Sequence, residues 1–61
     1  MDEFDKLKIL EEIHYLRCSI KNRQHLLEQA DKTEKFRIHH RNMIDFEMKK
    51  IIELENKLKR G

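Results

Sequence analysis

The stretch Gln29-Ala30-Asp31-Lys32-Thr33-Glu34 decides the fold of this chain. Apolar residues recur at helical spacing on both sides of it and stop within it. Asp31 followed three residues later by Glu34 has the form of a capping box, in which each side chain accepts an amide hydrogen that a new helix leaves unpaired. The expected architecture is all-α: an antiparallel helical hairpin of two long helices, nearly equal in length, with its turn near residues 29–33.

Upstream, Asp2 is placed to cap the first helix, and Asp2, Glu3 and Asp5 put negative charge on its first turn, where the helix dipole favours it. Nothing breaks a helix from there to about Ala30. Ile13, Ile20 and Leu27 hold one heptad position, and Ile9, Leu16, Arg23 and Ala30 hold the other. A helix of that length measures roughly 40 Å. On its opposite side runs a weaker stripe of Phe4, Leu7, His14, Tyr15, Cys18 and His25.

Downstream, from about Lys32 to Arg60, one broad face carries Phe36, Met43, Ile44, Met48, Ile51, Leu54 and Leu58, interrupted by His40 and Glu47. Ile38, Phe46 and Ile52 lie outside that face. Asp45/Lys49, Glu53/Lys57 and Glu55/Lys59 are i,i+4 pairs in the favourable order. The expected seam is therefore Ile9, Ile13, Leu16, Ile20 and Leu27 against Ile44, Met48, Ile51, Leu54 and Leu58. Both helices have more apolar surface than one partner helix covers, so the hairpin is expected to dimerise into a four-helix bundle. The layout is similar to the Rop hairpins, plasmid RNA-binding proteins that dimerise in this way, although no residue motif is shared.

Composition narrows the class. In 61 residues, 43% are charged and 38% hydrophobic, with no proline and one glycine, a balance that suits surface-rich helices rather than disorder. A single domain of this size is marginally stable alone. A lone cysteine, Cys18, allows no internal disulfide. No apolar run is long enough to span a membrane, and the acidic start does not read as a secretory signal, so a cytoplasmic location is expected.

Motifs for chemistry are sparse. Glu11-Glu12-Ile13-His14 contains Glu-x-x-His, but a di-iron bundle needs that motif twice. Of the second helix only Glu47 is expected near the level of His14. Cys18 follows His14 by one turn, yet no third residue orients the imidazole and no glycine loop offers an oxyanion site. No catalytic residue, cofactor or metal is expected. Charge is more telling. Residues 14–41 carry seven basic and three acidic side chains, a net +4, against −2 for the rest, and they include all four histidines. This basic half either attracts a nucleic acid or phosphorylated ligand, with Lys32, Lys35, Arg37, His39 and Arg41 as candidate contacts, or orients an antiparallel dimer. Arg23, His40 and Glu47, polar residues at seam positions, are expected to fix register or oligomeric state.

Ile13-His14-Tyr15-Leu16-Arg17-Cys18-Ser19-Ile20 resembles the Ile-x-x-Leu-Arg-x-x-apolar opening of a family of short helical-hairpin aspartyl-phosphate phosphatases. That resemblance implies a Ser-Gln-Glu-Leu-Asp signature in the second helix. The corresponding segment here, Ile51-Ile52-Glu53-Leu54-Glu55, has neither the Ser-Gln nor the Asp. The expected function is thus that of a small non-enzymatic regulator, an inhibitor or adaptor of bacterial or phage type, that binds itself and another protein and no membrane. An anion-binding module is the alternative, and an aspartyl-phosphate phosphatase of the kind the segment resembles is a third.

Overall fold

A computed structural model describes residues 2–29 and 31–60 of the chain. The expected seam position Ala30 and the terminal Gly61 lie outside the described residues. Two helices make up the fold, α1 (Glu3–Leu27) and α2 (Glu34–Arg60), packed against each other as a hairpin. The molecule measures 46 × 14 × 11 Å, the length of one long helix and the width of two.

Each helix starts on a side-chain cap. Asp2, in an extended conformation, accepts at Oδ1 from the Asp5 amide at 2.8 Å, while its carbonyl accepts from the Lys6 amide at 3.1 Å. At α2 the cap is not the expected Asp31. Thr33 Oγ1 accepts from the Phe36 amide at 3.2 Å, and the Thr33 carbonyl accepts from Arg37 at 3.1 Å. The physical reason is distance: the chain must travel sideways between two helix axes before it can turn back, and α2 starts only at Glu34. A helix capped at Asp31 would begin too early to lie alongside α1.

The end of α1 is closed without glycine. Among the described residues none has a positive φ, so the left-handed cap that commonly terminates helices is absent there. Instead the last turn tightens, with the Glu28 and Gln29 amides donating to His25 and Leu26 carbonyls at 3.2 Å. Arg37 of α2 then reaches back to the carbonyls that remain. Its Nη1 donates to the Leu27 carbonyl at 3.1 Å and its Nη2 to the Gln29 carbonyl at 3.0 Å. One guanidinium thus finishes α1 and ties the turn to the first turn of α2.

The core is a single layer. Ile13, Leu16 and Ile20 of α1 meet Ile44, Ile51 and Leu54 of α2, with Ile9, Leu27 and Leu58 packed at the margins. Among the described residues no side chain is fully enclosed. Met48, expected in the seam, is a correction: it is 44% exposed, and the neighbouring Glu47 is buried in its place. The four buried positions of α2, at residues 44, 47, 51 and 54, set the direction of its inner face. At about 100° per residue, Met48 lies roughly 80° to one side of that direction.

Two outcomes follow from this arrangement. Ile20→Asp buries an unpaired charge between Leu16 and Leu27 and abolishes the helical circular dichroism signal at 25 °C, whereas Lys21→Asp, on the exposed side, leaves it intact. Arg37→Ala strips two charge-assisted bonds from the end of α1 and lowers the urea-derived stability by about 1.5–3 kcal/mol. Arg37→Lys, with no fork to reach both carbonyls, recovers only part of that loss.

Candidate functional site

The three polar seam residues, read separately from the sequence, form one cluster. Arg23 of α1 crosses to α2, where its Nε donates to Glu47 Oε1 at 2.8 Å. Its Nη1 lies 2.8 Å from His40 Nδ1. His40 and Glu47 are seven residues apart, two turns along the same face of α2, so one guanidinium can address both. The pair is largely withdrawn from water, with the Glu47 side chain 7% and the Arg23 side chain 20% exposed. Phe36 packs against the His40 ring at 4.3 Å between centroids, and His39 meets it edge-on at 5.1 Å. Burial, then the charge of Arg23, then His39, push the His40 pKa below its ordinary 6.5.

The expected approach of Glu47 to His14 does not occur, because Glu47 is held by Arg23. His14 is exposed on the outer side of α1, where its Nε2 lies 3.7 Å from Cys18 Sγ. No third group completes a metal set: among the described residues no cluster of three or more His, Cys, Asp or Glu side chains is placed to hold an ion. Neither described helix is long and apolar enough to cross a membrane. Glu55, expected to pair with Lys59 along its own helix, reaches Arg17 of α1 at 3.7 Å.

The five candidate anion contacts of the turn-proximal half do not form one patch. Arg37 directs its guanidinium inward to the Leu27 and Gln29 carbonyls. The Lys32 ammonium sits over the Phe36 ring, 5.3 Å from its centroid. Lys35 and His39 are exposed one turn apart on α2. Arg41, two residues past His39 and also exposed, is carried about 200° round the helix and faces the other way.

Large apolar side chains also stand on the outer surface. Eight of them, Phe4, Leu7, Leu10, Tyr15, Ile38, Phe46, Met48 and Ile52, are between 44% and 71% exposed, more than the six hydrophobic residues buried in the core. The Arg17–Glu55 pair marks one broad side of the hairpin, since it joins the two helices there. Leu10 stands seven residues before Arg17 and Met48 seven before Glu55, with Ile52 between, so all three share that side. Leu7 and Ile38 lie on the outer backs of their helices, about 80° from both sides. Tyr15 falls two residues from Arg17 and Phe46 two from Met48, about 200° round their helices, and both lie with Phe4 toward the opposite side. One side is therefore aliphatic and the other aromatic. Sequence periodicity singled out Phe4, Leu7, Tyr15, Ile38, Phe46 and Ile52 but not Leu10, placed Met48 in the seam, and could not divide the exposed residues between two sides, which depends on how the helices face each other.

Removing one member of the cluster should cost more than removing the pair. Arg23→Met leaves a buried carboxylate without its counter-charge and destabilises the hairpin by about 3 kcal/mol or more in urea titration. Adding Glu47→Leu to the same chain recovers most of that loss. A near-additive double variant would show that the two groups act independently.

No protein-family pattern, curated protein or solved structure matches this chain.

Proposed function

We propose that this chain is a small non-enzymatic interaction protein that pairs with a second copy through its aliphatic side and binds and modulates a partner protein through its aromatic side. The observation that carries this reading is the exposed apolar surface: eight large side chains stand outside a core of six. Surface of that kind, interleaved with charge, marks association sites more often than solvent-facing ones. Leu10, Met48 and Ile52, flexible or branched aliphatics contributed by both helices, suit the helix-on-helix packing of a four-helix bundle. Phe4, Tyr15 and Phe46 are of the residue types enriched where two different proteins meet. A nucleic-acid or phosphate module is served less well, because Arg37 is engaged in the turn and Arg41 faces away from His39.

Sedimentation and thermal melting test the two sides separately. The unmodified chain is expected to sediment as a dimer at micromolar concentration, with a melting temperature that rises with concentration. Leu10→Gln, Met48→Gln and Ile52→Gln together yield a helical monomer. Tyr15→Gln with Phe46→Gln leaves the dimer intact and removes capture of the partner from host extract. A folded monomer whose melting temperature is independent of concentration rejects the homodimer. Salt-sensitive binding of RNA or DNA, lost on neutralising Lys32, Lys35 and Arg41, would favour the anion-binding alternative; Arg37 is left unchanged because its substitution would damage the turn.

A further inference from the structure

A guanidinium offers donors only and keeps its charge at every pH at which the chain folds. Arg23 Nη1 at 2.8 Å from His40 Nδ1 therefore requires that nitrogen to be an acceptor, which places the imidazole proton on Nε2 and makes the ring neutral. The same guanidinium is anchored on its other edge by Glu47, so it cannot swing away without giving up a buried ion pair.

We propose that the Arg23–His40–Glu47 cluster is a proton-operated clasp, closed while His40 is neutral and opened when His40 takes a proton on Nδ1. Protonation sets an N–H against an N–H and one cation against another across the space between α1 and α2. The groups facing His40 leave that repulsion largely unanswered. Arg23 comes from α1, and from α2 come Glu47, already committed to Arg23 Nε, His39 at the ring edge, and the uncharged Phe36. Between Ile20 and the turn only the partly buried Leu27 packs against the core, so this half of the hairpin relies on the cluster and on the Arg37 bonds at the turn. Opening the clasp loosens the contact of α1 with the His40 turn of α2, while Arg37 still holds the two helices together at the turn. The clasp belongs to the single hairpin and does not depend on what the outer faces bind.

The sign follows from the lowered His40 pKa. The unfolded chain takes up this proton first as pH falls, so the contribution is complete above 6.5 and is lost on descending through 6.5 to the lowered value. Within that window the folding equilibrium declines as pH falls.

The wild-type chain itself provides the decisive measurement. Titration of the His40 ring protons by NMR should give a midpoint below 6.5, while thermal melts over the same range lose stability as pH falls. His40→Gln keeps an acceptor for Arg23 but cannot titrate, and its pH dependence should be shallower by the contribution of one proton. Glu47→Gln, which leaves Arg23 uncompensated, should lower the midpoint further, and Arg23→Met should raise it. A wild-type midpoint at or above 6.5, or an identical pH dependence in His40→Gln, overturns the proposal.

Discussion

Two helices laid side by side can each cover one stripe of the other, and everything else in this molecule is arranged around that limit. The covered stripe is narrow, formed by Ile13, Leu16 and Ile20 against Ile44, Ile51 and Leu54, and none of these side chains is completely removed from water. A layer this thin leaves small margins for error, so the few polar contacts between the helices matter more than they would inside a larger domain. It also leaves most of the cylinder of each helix free. Phe4, Leu7, Leu10, Tyr15, Ile38, Phe46, Met48 and Ile52 stand on that free surface because a second helix has no room for them.

Two arginines turn the layer into a hairpin with a definite register. Arg37 closes the end of α1 from the far side of the turn, taking two carbonyls that a left-handed glycine cap would otherwise have helped to satisfy. Arg23 closes the middle, binding Glu47 and His40 across the gap. An apolar stripe tolerates sliding by a turn, since one aliphatic side chain replaces another at little cost. A guanidinium set between one carboxylate and one imidazole resists such a shift, because a slip leaves the buried Glu47 without its counter-charge and Arg23 and His40 without their partners. The core supplies most of the attraction and the arginines supply the alignment.

That division of labour has a functional side. The cluster lies within the hairpin, whereas the exposed apolar residues lie outside it, so changes at one need not disturb the other. The proposed protonation of His40 acts on the contact between α1 and α2, while the exposed side chains of Leu10, Met48, Ile52, Tyr15 and Phe46, through which association is proposed, take no part in the cluster. The lone cysteine adds nothing to either: Cys18 sits on the outer side of α1 beside His14, exposed and without a third partner.

Much of this was legible in the residues alone. Helical periodicity identified both helices, the inner stripe of Ile9, Ile13, Leu16, Ile20 and Leu27, and the surplus of apolar residues outside it, because a 3.6-residue repeat is a property of one helix and needs no neighbour to be read. Asp2 as a cap was equally local. Arg23, His40 and Glu47 stood out one at a time for the same reason, each a polar residue where the repeat asked for an apolar one. What the sequence by itself could not supply was every relation between the two helices. The cap at Thr33 rather than Asp31 depends on how far the chain must cross between axes. The burial of Glu47 instead of Met48 depends on the angle at which α2 presents itself. The union of Arg23 with His40 and Glu47, and the inward turn of Arg37, depend on register, a quantity shared by two segments far apart in the chain. Local pattern determined the elements of this protein, and only the tertiary structure decided which side chain of one meets which of the other, because spacing along a chain carries no record of distance across it.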